Sequence, residues 1–279
     1  MHCYNMSVKQ VQLRLRQQRG KKHGVEYVPW FTVQEVGSIG CVHQFACSAM
    51  GGRDVHLLAN TELATFLYCL LVKDAVEIRE QFPLHVGSTA RIADSLGIHH
   101  PKYKGRDEPA VLTTDAVATY KIGGEFYDEP MSIKSCDAVR HPYDDERFRL
   151  ESTYWAERGA TLKLVLSHGM NSIWARNLRW LFPEANWIWA NGISKREALA
   201  HDAVLEQVMD WRHADIASAY MAAERVARLR AGEGLSAFRQ LVATRVLAAS
   251  IDTPCYRLAC PEQFSFSETK YAELKRRVA

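Results

Sequence analysis

Two charged residues interrupt stretches that otherwise read as apolar strands. Asp115 lies within Val111-Leu112-Thr113-Thr114-Asp115-Ala116-Val117, and Lys134 closes Met131-Ser132-Ile133-Lys134. Either charge is costly to bury unless it is paired or bound to an ion. Two strands joined by a hairpin would set them side by side. A second carboxylate, Glu62, stands at the start of the long preceding helix and can point at the same spot. Two carboxylates with backbone carbonyls form an oxygen-rich site suited to Mg²⁺, which takes few protein ligands and keeps its waters. A nearby ammonium could position a metal-bound water and offset charge growing on a phosphate. That is the chemistry of phosphodiester hydrolysis. An internal Asp115–Lys134 ion pair with no catalytic role is the other reading of the same residues.

The elements that must carry these side chains follow from periodicity. Thr61–Lys73 reads as a buried helix, with Leu63, Phe66, Leu67, Leu70 and Leu71 at i, i+3, i+4, i+7 and i+8. Asn60 or Thr61 would cap it, which puts Glu62 in its first turn. Val76–Phe82 reads as a strand running into Pro83, and Thr89–Leu96 as a short helix before the polar loop His99–Pro109. Strands are expected over Val111–Tyr120 and Pro130–Ser135, separated by Lys121–Glu129 with its Gly123-Gly124 turn signal. Asp144–Arg158 reads as a helix and Thr161–Leu166 as a strand. Upstream, Thr32–Met50 alternates apolar and polar residues, as short strands and turns do. From His168 the pattern becomes helix-rich: Ser172–Phe182, Ser194–Trp211, Ala214–Leu229 and Ser236–Ser250. Tyr256–Ala259 and Gln263–Phe266 could then form a small hairpin or wing. The expected division is therefore a basic arm over 1–24, an α/β domain over 25–168 and a mostly helical domain over 169–279.

The 279 residues, 47% apolar and 24% charged, suffice for one large or two small domains with real cores. The longest apolar run, Phe66–Val72, is far below the ~20 residues of a membrane span, so no membrane partner is expected. Met1–Gln10 has no apolar stretch resembling a secretory signal. Seven scattered cysteines fit a reducing cytoplasm. No phosphate-binding loop, Rossmann fingerprint or zinc-ligand spacing is present. The net charge of +3 hides a strong asymmetry. Residues 1–24 carry Lys9, Arg14, Arg16, Arg19, Lys21 and Lys22 and no acid, whereas 25–168 hold 14 Lys/Arg against 20 Asp/Glu. Such an arm is either an electrostatic footprint for DNA or a solvated flexible terminus. In the last domain Arg225, Arg228, Arg239, Lys270, Lys275, Arg276 and Arg277 could touch DNA or protein, or form a solvated face.

The order of several segments adds to this. Tyr27-Val-Pro-Trp30, Glu35-Val-Gly-Ser-Ile-Gly40, His56-Leu-Leu-Ala-Asn-Thr-Glu62 and Ile78-Arg-Glu-Gln-Phe-Pro-Leu84 follow one another. Leu96-Gly-Ile-His-His-Pro101, Thr113-Thr-Asp115, Ser132-Ile-Lys134, Glu151, Tyr154-Trp155 and Arg158-Gly159 come next. In this order and spacing, residues 25–170 resemble the TnsA-like endonuclease subunits of heteromeric bacterial transposases. Ile78–Leu84 is the most specific piece.

The resemblance implies a restriction-endonuclease-like core, a mixed sheet flanked by helices, followed by a smaller winged-helix-like domain. It implies an Mg²⁺-dependent site, with Mn²⁺ as a substitute, whose glutamate, aspartate and lysine fall on Glu62, Asp115 and Lys134. The carbonyl of Ile133 could also hold the metal. Ser132 stands where many relatives of this fold carry Glu or Gln, which leaves Glu62 to supply that charge. Glu146 and Glu151 could join a second metal or only face solvent; Glu146 is read as solvent-facing or structural. The family cuts one strand at the 5′ ends of a transposon, while a partner transposase subunit cuts and joins the 3′ ends. Its C-terminal domain is associated with that partner and with an AAA+ ATPase regulator. A bacterial cytoplasmic protein is implied. The alternatives are a stand-alone restriction or repair nuclease and a non-catalytic assembly module.

Overall fold

The computed structural model describes residues 5–36, 40–136 and 145–278. Gly37–Ile39 of the Glu35–Gly40 segment and the expected helix start at Asp144 lie outside these residues. The chain divides into two compact units, Met1–Met170 and Asn171–Ala279.

In the first unit the basic arm begins with a helix, α1 (Val8–Arg16). Ser7 and Gln10 close a capping box at its start. Val11 and Met6 then pack with Trp30, Phe31, Tyr103 and Ala110 in an apolar cluster. The expectation of a free basic tail fails here because these side chains give the helix something to bury against.

A hairpin, β1 (His43–Cys47) and β2 (Arg53–Leu57), leads into α2 (Asn60–Leu71). The expected side-chain cap is not made. Ala59 is the N-cap, and Asn60 instead lies 2.8 Å from the His43 ring through its Oδ1. Glu62 reaches back from the first turn to accept the Leu58 N–H at 2.8 Å. A carboxylate there also suits the positive end of the helix dipole.

The main sheet has the order β3-β4-β5-β6, with β3 Glu77–Pro83, β4 Thr113–Ile122, β5 Glu125–Ser135 and β6 Lys163–Ser167. The first three strands are antiparallel and β6 runs parallel to β5, so the sheet is mixed. Strand β5 starts five residues before the expected Pro130. Its first half, Glu125–Glu129, sets Phe126 and Tyr127 side by side among three acids and so shows no apolar–polar alternation, yet Gly123-Gly124 closes a tight turn with both φ positive. Two helices, α3 (Val86–Leu96) and α4 (Glu146–Ala156), supply Ile92, Leu150, Tyr154 and Trp155 to a core cluster containing Val117.

Arg53 and Glu80 fasten β2 to β3. The guanidinium makes a two-pronged bond to the carboxylate, 2.8 Å on each prong, and also donates to the Ile78 carbonyl at 2.6 Å. Tyr27 lies under Arg53, 4.9 Å from its ring centroid. Burial lowers the basicity of Arg53, but its hydrogen bond and charge contact with Glu80 overcome this and raise its pKa.

The second unit is helical: α5 (Ile173–Asn191), α6 (Lys195–Met209), α7 (Ile216–Val226) and α8 (Glu233–Ala243). Helix α5 runs past the expected end at Phe182 with Pro183 inside it. A short hairpin pairs β7 (Leu247–Ala248) with β8 (Ser265–Phe266), and α9 (Glu268–Lys275) closes the unit. The hairpin thus uses a different first strand from the one expected; Tyr256–Leu258 is a 3₁₀ turn whose Tyr256 is buried in the core. Among the described residues no helix is long and apolar enough to cross a membrane.

Candidate active site

Three elements converge on Asp115. On β4 the ladder to β5 ends at the Ala116–Met131 pair, so the strands part at the next residue. There the Asp115 carboxylate takes the Ile133 N–H, with Oδ2 at 2.7 Å. The same oxygen accepts from the Lys134 ammonium at 2.9 Å. Lys134 is 39% exposed while its partner is largely covered, so the ammonium stands at the mouth of the site. It is the N–H of Ile133, and not its carbonyl, that touches Asp115; the carbonyl lies 3.4 Å from the Lys134 ammonium. Ser132 is buried.

Two further carboxylates feel Asp115. Glu62 is nearly covered; burial first, and then the charge of Asp115, raise its pKa to about 8. The Leu58 N–H, Lys134 and the Gln81 amide act in the opposite direction. Glu151, on α4 and 4% exposed, is raised to about 7 by burial and then by Asp115, with Arg147, a Thr114 hydrogen bond and Lys134 opposing. Among the described residues its Oε1 has no hydrogen-bond partner, an unusual state for a buried carboxylate oxygen. Glu146, one turn and more away on the same helix, is exposed. Of the two α4 glutamates, the fold turns Glu151 alone inward.

This arrangement is compatible with a divalent cation. The Asp115 charge acts on both Glu62 and Glu151 and pairs with the Lys134 ammonium. Among the described residues no three His, Cys, Asp or Glu side chains group closely enough to hold a metal ion by themselves, so a cation here would rest on fewer side chains. An open set of few carboxylates is what Mg²⁺ accepts, since it retains several waters. A cavity of about 970 Å³ lined by His23, Glu77, Phe126, Asp128 and Arg158 lies elsewhere in the unit and contains none of these side chains.

The raised carboxyls set a pH dependence. Glu62 and Glu151 hold protons more tightly folded than unfolded, so folding takes up protons between the ordinary carboxyl range and pH about 7 to 8. Their contribution to stability is complete near pH 4.5 and is lost as pH rises through those values. The metal-free protein should therefore melt several degrees lower at pH 8.5 than at pH 5.5. Added Mn²⁺ should reverse the loss, more strongly at the higher pH, because binding requires the ionised forms. Thermal melts at the two pH values, with and without Mn²⁺, check this; an unchanged midpoint would contradict it.

The expected DNA contacts divide. Lys9, Arg16, Lys21 and Lys22 are exposed, Lys22 pairing with Glu26 at 2.8 Å. Arg14 and Arg19 are withdrawn from that role. Arg14 is buried against the Phe31 and Trp30 rings, 4.9 and 5.7 Å from their centroids, and reaches Glu35 at 3.3 Å. Arg19 binds the same Glu35 at 2.7 Å. These two guanidiniums hold the arm to the unit, and their acid partner, 16 or more residues downstream, could not be paired with them by local pattern.

In the second unit Arg239 is likewise engaged, with Glu184 at 3.0 Å and over the Trp180 ring. No residue of α8 is exposed, so this helix has no free face to lay in a groove. Lys275 and Lys270 pair with Asp202 and Glu273, while Arg225, Arg228, Arg276 and Arg277 are exposed. The residue that sequence reading passed over is Gln81. It sits inside the specific Ile78–Leu84 segment, buried, with φ +47° and its amide 3.4 Å from Glu62 Oε1.

No family model matches the chain. It is 36% identical over 180 residues to the transposon Tn7 transposition protein TnsA of Escherichia coli. The match covers 64% of this chain and 64% of that relative's length. The ordered motifs and this identity agree: over that span the chain is similar to TnsA, and it covers less than two thirds of that relative's length.

Proposed function

We propose that the protein is the Mg²⁺-dependent DNA endonuclease subunit of a heteromeric transposase. In this reading it cleaves one strand at the 5′ ends of a transposon. Support comes from similarity to a transposition protein and from one structural observation: Asp115 binds Lys134 while its charge reaches both Glu62 and Glu151. The first unit would be a restriction-endonuclease-like catalytic domain. The second would be a winged-helix-like interaction domain for the 3′-end-cleaving partner subunit and an AAA+ ATPase regulator.

Glu62 and Asp115, with Glu151 beside them, would hold the cation. When bound it supplies Lewis-acid polarisation of the scissile phosphate and a more acidic water. The chain's own groups do the remainder. Lys134, at the mouth, orients the attacking water and donates to the phosphate oxygen on which charge grows. Asp115 fixes the ammonium and is itself fixed by the Ile133 N–H, so the geometry is set before substrate arrives. Attack displaces the 3′ oxygen and leaves a 5′-phosphate and a 3′-hydroxyl. The exposed Lys9, Arg16, Lys21 and Lys22 offset phosphate repulsion as DNA approaches an acidic unit.

A mini-transposon plasmid incubated with Mg²⁺, with and without co-expressed partner subunit, tests this reading. Cutting at the 5′ ends only with the partner is the expected result. Robust cutting by the isolated chain would instead indicate a stand-alone restriction or repair nuclease. No cutting together with no metal-dependent stabilisation would indicate an assembly module.

A further inference from the structure

The segment Arg79-Glu80-Gln81 spends its three polar side chains in three directions. Arg79 reaches Asp128 on β5 at 2.7 Å, Glu80 takes Arg53 on β2, and Gln81 turns to α2. The third requires a backbone irregularity. The β3–β4 ladder pairs Glu80 with Ala116 and Phe82 with Thr114, and the intervening position, Gln81 opposite Asp115, is unpaired. Gln81 has φ +47° inside a strand, a left-handed conformation that disfavours any residue with a Cβ. Strain of this kind persists only where the surroundings over-determine it, and it gathers at functional sites.

The surroundings here are specific. The Gln81 carbonyl, freed from the ladder, accepts the N–H of the buried Trp30 at 3.1 Å. Its carboxamide is anchored at both ends: Nε2 donates to Glu62 Oε1 at 3.4 Å, and Oε1 accepts from the Thr113 hydroxyl at 3.5 Å. The other Glu62 oxygen is held by the Leu58 N–H. Glu62 thus has one oxygen fixed by the turn that precedes its own helix and the other by β3. Trp30 belongs to the Tyr27–Trp30 segment, which places both otherwise unexplained motifs on one clamp.

We infer that Gln81 is a positioning residue for Glu62, held in a strained, unpaired strand position by Trp30 so that its amide orients that carboxylate toward Asp115 and the metal. The inference rests on the reading of Glu62 and Asp115 as metal-holding residues. Groups that orient a metal ligand typically change affinity or activity by about 10–100-fold when removed.

The test is Mn²⁺ binding to the full chain by calorimetry, alongside thermal melts of the metal-free protein. Gln81→Gly relieves the backbone and deletes the amide; Gln81→Asn tolerates the left-handed backbone but is one methylene too short to reach. Both variants should bind Mn²⁺ about tenfold or more weakly, with Gln81→Gly melting no lower than the parent protein. Mn²⁺ affinity equal to the parent's in both variants, while Asp115→Ala has lost binding, overturns the positioning role and leaves the metal site standing. A lowered melting point with unchanged Mn²⁺ affinity also overturns it, since that is what a purely structural role for Gln81 would give. Equal Mn²⁺ behaviour of the parent protein and Asp115→Ala overturns the metal site and this inference with it.

Discussion

Asp115→Ala and Lys134→Ala are each expected to abolish 5′-end cleavage while leaving the protein folded and able to bind its partner subunit. Lys134 is exposed enough that its truncation costs little stability, yet its ammonium pairs directly with Asp115. Loss of one such preorganised charge typically costs about 10²–10³-fold in rate. Asp115 carries more. It anchors Lys134, receives the Ile133 N–H where the strands part, and is the charge that both Glu62 and Glu151 sense. Asp115→Asn separates these roles, because the amide oxygen can still accept the Ile133 N–H although the charge is gone. It should keep the parent fold, lose cleavage as fully as Asp115→Ala, and reduce the pH dependence of the metal-free melting point, leaving the part that burial of Glu62 and Glu151 sets. End-cleavage assays with partner present, read beside melts at two pH values, measure both. Parent-like cutting by either alanine variant would remove the assignment.

Arg53→Ala should destabilise the protein by about 3–5 kcal/mol, because it leaves a buried carboxylate without its counter-charge. Glu80 is 0% exposed, and Arg53 binds it through both guanidinium prongs. The His56 N–H, at 3.1 Å, remains but carries no full charge. Replacing both members, as in Arg53→Met with Glu80→Gln, should recover part of the loss, since the desolvation penalty disappears along with the attraction. Urea-unfolding midpoints of the two variants decide this. A double variant no more stable than Arg53→Ala would place the cost in packing against Tyr27 instead of in charge. The site should suffer as well. Arg53 begins β2, and the chain leaving that strand supplies the Leu58 N–H that holds Glu62.

Much of this was legible in the residues themselves. Charge inside an apolar strand marked Asp115 and Lys134, since burying an unpaired charge is costly wherever the strand ends up. The i, i+3, i+4 spacing of Leu63 to Leu71 marked α2 and with it the place of Glu62, and the Gly123-Gly124 turn signal between two strand-like stretches marked a hairpin. Local periodicity and local cost are properties of a few neighbouring residues, so sequence alone carries them.

What distant parts of the chain do to one another is carried only by the tertiary structure. Glu146 and Glu151 share a helix and a chemistry, and only the packing of α4 on the sheet buries one and exposes the other. Arg14, Arg19 and Arg239 read as free cations until Glu35 and Glu184 met them across the fold. The left-handed turn at Gln81 has no propensity signal, because it exists where Trp30, Thr113 and Glu62 close on one strand position from three sides. The sequence by itself therefore determined which residues could do the chemistry and which elements carry them. The tertiary structure decided which of those charges are spent on the fold and which face one another around Asp115, because pairing energies depend on distances that no local pattern contains.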